Sequence, residues 1–183
     1  MDKIRFATVW LAGCSGCHMS FLDLDEFLID LADLVEVVYS PVACDLKHYP
    51  EQVDVCLVEG AIANDDNLEL IYQVRRHTKL LISFGDCAVT ANVPAMRNML
   101  GNSAEGVLER GYLELADEHP QLPHAPGIVP DLLERVTPVH EVVPVDIFMP
   151  GCPPSADRIR ATLEPLLQGQ TPTMAGRSMI KFG

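Results

Sequence analysis

Ile4-Arg-Phe-Ala-Thr-Val-Trp-Leu-Ala-Gly-Cys-Ser-Gly-Cys-His18 opens the chain and decides how the rest is read. The run Ile4 to Leu11 is apolar and β-rich almost throughout, the mark of a strand buried on both faces, and it breaks at a glycine. Two cysteines follow at once, Cys14 and Cys17, three positions apart and separated by Ser15-Gly16. A strand of this kind belongs to a parallel sheet covered by helices, and the remainder of the chain supplies the alternation such a sheet needs.

Met19 to Leu34 places Leu22, Phe27, Leu28, Leu31 and Leu34 at mostly helical spacing, with acids between them, and predicts one helix. Val35 to Tyr39 predicts a second strand, closed by Ser40-Pro41, and Asp54 to Gly60 a third. Asn64 to His77 reads as a helix whose Asp65 and Asp66 complement its N-terminal dipole. Lys79 to Phe84 is a fourth strand, Val145 to Phe148 a fifth, and Ser155 to Leu167 a helix with Ser155 as N-cap. Residues 86–144 lose the pattern: prolines interrupt at 94, 120–130, 138 and 144, and an irregular segment that long is usually functional or covers an interface. The expectation is one α/β domain over residues 1–183, a flavodoxin-like doubly wound parallel sheet in the strand order 2-1-3-4-5.

That order has a chemical consequence. Ligands of open parallel sheets bind at the carboxyl ends of the strands. Four of the six cysteines lie in that slot, each beside glycine or proline: Cys14 and Cys17 after the first strand, Cys87 in Gly85-Asp-Cys-Ala88, and Cys152 in Pro150-Gly-Cys-Pro-Pro154. The loops after strands one, four and five share one side of the sheet's switch point, so these thiols are expected to converge. Cys56 falls mid-strand among valines and leucine and reads as a small core hydrophobe. Cys44 follows the second strand, on the other flank, and reads as structural.

Four converging thiolates imply a metal centre. Structural zinc sites usually pair two close doublets. Here one doublet is joined by two solitary cysteines across long segments, which suits an iron–sulfur cluster better. Gly13, Gly16, Gly85 and Gly151 would let backbone approach a bulky cluster, and Pro153 and Pro154 stiffen the last ligand loop. A zinc-stabilised interaction domain stays open as the alternative. A thioredoxin-like role for Cys14 and Cys17 leaves the other two without work.

Composition narrows the partners. With 26 acidic against 13 basic residues, the net charge of −13 argues against nucleic acid or an anionic membrane surface. No apolar run approaches the roughly 20 residues that span a bilayer, and Met1-Asp-Lys-Ile-Arg-Phe6 has none of the features of an export signal. The expected compartment is the reducing cytoplasm, where cysteines are ligands or buried thiols rather than disulfides.

Val9-Trp-Leu-Ala-Gly-Cys-Ser-Gly-Cys-His-Met-Ser20, Leu57-Val-Glu-Gly-Ala-Ile62, Gly85-Asp-Cys-Ala88 and Met149-Pro-Gly-Cys-Pro-Pro154 together resemble the small subunit of NiFe hydrogenases, and most of all that of the soluble, bidirectional NAD-reducing branch. The likeness runs along essentially the whole chain. It implies one proximal 4Fe–4S cluster held by Cys14, Cys17, Cys87 and Cys152. It further implies an electron-relay role between a separate large subunit carrying the Ni–Fe centre and a diaphorase module with iron–sulfur clusters, FMN and NAD(H). Twin-arginine leaders and additional cluster domains mark other branches and are not expected here. The related complex I subunit, a quinone-linked alternative, carries adjacent cysteines where Ser15-Gly16 separates this doublet. FMN is not expected in this subunit, because the loop that holds phosphate in a flavodoxin is the Ala12–Cys17 loop. Glu59 ends the third strand facing the same crevice and reads as a solvated or pairing carboxylate, which the resemblance places near the large-subunit contact. His18 is a cluster or partner hydrogen-bonding residue, or a plain helix start. His77, His119, His124 and His140 show no ligand spacing. The Met19–Leu34 helix and the Pro120–Pro144 stretch are expected at subunit interfaces.

Overall fold

The computed structural model describes residues 3–182. Five parallel strands form its centre: β1 (Ile4–Trp10), β2 (Val35–Tyr39), β3 (Val53–Glu59), β5 (Thr78–Phe84) and β7 (Ile147–Met149). They lie in the order β2-β1-β3-β5-β7, which is the expected 2-1-3-4-5 arrangement. Register runs unbroken where burial is deepest, from Phe6 opposite Val55 to Trp10 opposite Glu59, and from Val55 opposite Leu80 to Glu59 opposite Phe84.

Alternate side chains of these strands feed two separate cores. Ala7, Val9, Cys56, Val58 and Leu81 face α3 (Asp65–His77), α4 (Asp86–Thr90) and α6 (Val139–Val142), through Ile71, Val74, Ala88 and Val139. Phe6, Val55, Leu57, Ile82 and Phe84 face α1 (Gly16–Leu22), α2 (Phe27–Leu34) and α7 (Ala156–Leu167), through Cys17, Phe27, Leu31, Ile159 and Leu163. Burial on both faces is why these strands read as continuous apolar runs.

The caps match their sequence signals. Asn64 accepts the Asn67 amide at 2.8 Å and starts α3; Ser155 accepts the Arg158 amide at 3.4 Å and starts α7. Two expectations change. The helix predicted over Met19–Leu34 is two helices, α1 and α2, broken at Asp25 with φ 47°. Aspartate tolerates that left-handed turn, and the break lets both Leu24 and Phe27 reach the sheet.

Residues 86–144 hold more structure than expected: α4, a 3-10 turn over Val93–Met99, α5 (Ser103–Glu109), a π-turn over Arg110–Glu114, β6 (Leu132–Thr137) and α6. β6 pairs antiparallel with β4 (Ile62–Asn64), Ile62 opposite Thr137. This small second sheet is pinned from the side. Arg97 donates to the carbonyls of Ala63 (3.1 Å) and Leu133 (2.6 Å), and Asn98 exchanges two hydrogen bonds with Val136. Within that segment the longest stretch without helix or strand is 115–131, which holds four of its prolines. A short helix, α8 (Arg177–Ile180), closes the described chain. Among the described residues no helix is long and apolar enough to cross a membrane.

Candidate metal centre

The carboxyl ends of β1, β5 and β7 deliver the cysteines. Cys14 lies exposed in the turn after β1; Cys17 is buried in the first turn of α1. Cys87 is half-buried in α4, immediately after β5, and Cys152 is exposed in the loop after β7. The four sense one another. Burial pushes the Cys17 thiol far up, and Glu59, Cys87, Cys14 and Cys152 each push it further. Burial also raises the Cys87 thiol to about 11, with Cys152 and Cys14 adding to it. Thiolates crowded this way are unfavourable unless a cationic core sits among them, which is the electrostatic condition of a metal-thiolate site.

Cys56 and Cys44 stand apart, as expected. Cys56 is fully buried in β3, where burial pushes its thiol up to about 12. Cys44 folds back on its own turn, accepting the Ser40 amide at 3.1 Å.

Backbone ties hold the ligand loops to one another. The Asp86 amide donates to the Gly151 carbonyl (2.9 Å), and the Gly151 amide donates to the Asp86 carboxylate (2.6 Å). The Cys87 and Cys152 loops are thus joined reciprocally. Ser20 of α1 donates its hydroxyl to the Pro154 carbonyl at 2.5 Å, joining the Cys17 helix to the Cys152 loop. Two glycines make the approach possible. Gly85 has φ 87°, and a Cβ there would overlap Cys17 Sγ; Gly151 has φ 138°, and a Cβ would lie 2.5 Å from Pro154 Cα.

Glu59 is the residue whose place the sequence left open. It is 1% exposed and therefore not solvated. Ser15, in a left-handed conformation, leaves α1 without a side-chain cap. Glu59 takes that job from β3, accepting the amides of Cys17 (3.4 Å) and His18 (3.1 Å). Anionic oxygen at a helix N-terminus satisfies orphan donors and meets the dipole. Its Oε2 also pairs with His18 Nδ1, while His18 Nε2 is buried without a protein partner among the described residues.

The fit to a metal group rests on the donor set: four thiols, coupled, from three strand ends. Among the described residues no three His, Cys, Asp or Glu side chains are gathered closely enough to hold a single metal ion.

Fold and site together define a flavodoxin-like α/β domain with a thiol-lined pole at its strand ends. The chain belongs to the NADH ubiquinone oxidoreductase, 20 Kd subunit family, which matches residues 14–166. Within it the chain is like the small subunits of hydrogenases. It is 40% identical over 172 residues to the delta subunit of the NAD-reducing hydrogenase HoxS of Cupriavidus necator, covering 92% of this chain and 80% of that one. It is 38% identical over 174 residues to one chain of the F420-non-reducing hydrogenase vhu of Methanococcus voltae, covering 94% of this chain and 59% of the relative. The chain thus spans little more than half the length of several relatives of that second kind. A solved NAD+-reducing NiFe hydrogenase in the H2-reduced state contains a chain matching over the full length of both, at 38% identity and TM-score 0.92.

Proposed function

We propose that this chain is the electron-relay small subunit of a cytoplasmic NAD-reducing NiFe hydrogenase, a single domain that holds one 4Fe–4S cluster through Cys14, Cys17, Cys87 and Cys152. The observation that carries this is the placement of those four cysteines, and not Cys44 or Cys56, at the carboxyl ends of strands β1, β5 and β7. When bound, such a cluster accepts and releases single electrons.

The chain's own residues do the rest. Glu59 and the α1 amides fix the Cys14–Cys17 turn, the Asp86–Gly151 pair sets Cys87 against Cys152, and Phe84 and Cys17 keep water from the inner side. Cys14 and Cys152 face outward, so donor and acceptor both approach the same pole. The partners proposed are a large subunit bearing the Ni–Fe centre and a diaphorase module that carries iron–sulfur clusters, FMN and NAD(H). Likeness to the NAD-reducing relatives supports this acceptor. FMN belongs to that module and not to this chain, whose first loop is committed to cysteines.

The test is iron, acid-labile sulfide and zinc in the anaerobically purified protein. Four irons and four sulfides are expected, as a cubane requires, falling sharply in each of C14S, C17S, C87S and C152S and unchanged in C44S and C56A. Stoichiometric zinc without sulfide overturns the reading.

A further inference from the structure

We propose that Arg158 is a positioning residue for this centre, strapping the Cys152 loop to the C-terminal segment around α8. The consequence for metal retention rests on the function proposed above; the strap itself does not.

The inner side of the Cys152 loop is held by Asp86 and Ser20, but its outer side faces solvent at Cys152. Arg158 holds that outer side. Its Nη1 donates to the Pro150 carbonyl, two residues before the cysteine, and to the Lys181 carbonyl at 2.9 Å; its Nε donates to the Ser178 carbonyl at 2.7 Å. One planar fork therefore grips two segments that sequence keeps some thirty residues apart.

The position is unusual for a cation. Arg158 sits in the first turn of α7, at the positive end of the helix dipole, where an acid is favoured and Asp157 stands beside it. What offsets this is the other end of the contact. Ser178 lies within, and Lys181 just past, the single turn of α8, where the last carbonyls of a helix are left without intrahelical partners. Arg158 caps α8 from outside.

Apolar packing cannot replace the pin. Met179 is buried, but Ile180 and Phe182 are half-exposed, and an open groove of about 510 Å³ separates Phe148 of the edge strand from Met174, Ile180 and Phe182. The segment rests on Met179 and on Arg158. A lysine would keep the charge but not the fork, since its compact ammonium cannot span both segments.

The experiment compares wild type, R158M, R158K, a chain ending at Gly176, and that truncation combined with R158M, each purified with its partner subunits. Three quantities are read: deuterium exchange at the Gly151 and Cys152 amides, the electron paramagnetic resonance spectrum of the reduced centre, and the rate of iron release to a ferrous chelator. R158M is expected to raise exchange at both amides, shift the spectrum, and speed iron release about tenfold, the scale of a lost hydrogen bond to a charged group. R158K lies between. Truncation removes the Ser178 and Lys181 ends of the link while Arg158 keeps its bond to the Pro150 carbonyl, so the effects of truncation and R158M are expected to combine to less than their product. Wild-type exchange in R158M overturns the proposal, and so do effects of truncation and R158M that multiply. Wild type without iron sinks the metal reading alone, since amide exchange still decides the strap. If R158M fails to fold, R158K and the truncation carry the same comparison.

Discussion

Replacing Gly85 by alanine adds one methyl group at the point where the strand-end geometry is tightest. Gly85 has φ 87° and ψ 163°, a region open essentially to glycine alone. Holding alanine there costs on the order of 1–3 kcal/mol. The new Cβ also overlaps Sγ of Cys17, which is 7% exposed and packed in the core with Phe84. Cys17 cannot swing outward without leaving that core, so overpacking adds roughly 1–3 kcal/mol. The total, about 2–6 kcal/mol, is a large part of the 5–15 kcal/mol that stabilises an ordinary domain. Gly111 is the control. It lies in a helical turn, nothing stands within 4 Å of its Cβ position, and alanine there should be neutral or stabilising by up to about 1 kcal/mol. Denaturant unfolding of the full chain, followed by circular dichroism, measures both. A second reading, iron per chain, should fall in G85A and hold in G111A. G85A within about 0.5 kcal/mol of wild type, the usual range for an innocuous substitution, would refute the close approach of the Cys17 and Cys87 loops.

Two further outcomes separate fold from site. Ile71, fully buried between α3 and the sheet, should cost about 2–5 kcal/mol on replacement by alanine, read by urea unfolding, with metal content per folded chain unchanged. Asp54 concerns acid stability. Burial alone would raise its carboxyl, but hydrogen bonds from Lys79 (2.7 Å) and the Arg5 amide (2.9 Å) outweigh it and hold the group below the usual range. Its contribution is therefore full above the ordinary aspartate value near 3.9 and is lost as pH falls through the lowered one. D54N should cost about 1 kcal/mol at neutral pH and flatten the acid limb of melting temperature against pH below 4; an unchanged limb would sink this.

What the sequence disclosed follows from range. The central strands β1, β3 and β5 are buried on both faces, so each is a local apolar run, and right-handed crossovers favour the doubly wound order. β4 and β6 escaped because neither carries a pattern. β4 is three residues long, and β6 holds Glu134 and Arg135 between Pro130 and Pro138. Arg97 and Asn98 brace the pair from a third segment. The split between α1 and α2 escaped for a related reason. The acids from Asp23 to Glu26 fit a solvated helical face as well as a turn, and only the sheet's demand for Leu24 and Phe27 together decides.

The same division runs through the candidate centre, and it bears on how the centre is built. Which loops carry cysteines is local information: a strand, a glycine, a thiol. How the loops stand relative to one another is not, because the ties are polar contacts between distant residues. Glu59 meets the α1 amides across 41 and 42 positions, Asp86 meets Gly151 across 65, and Ser20 meets Pro154 across 134. None has a periodicity to betray it: the sequence placed Glu59 at the end of the third strand facing the crevice, but not its pairing with the α1 amides. Each tie joins a ligand loop to a different part of the fold, and two of them join one ligand loop directly to another. Loosening any one therefore frees a thiol relative to its neighbours without unfolding the sheet beneath. Stability and site geometry are then separable in this protein: core variants such as I71A act on the first, variants of the ties on the second, and Gly85, where a ligand loop touches the core itself, acts on both.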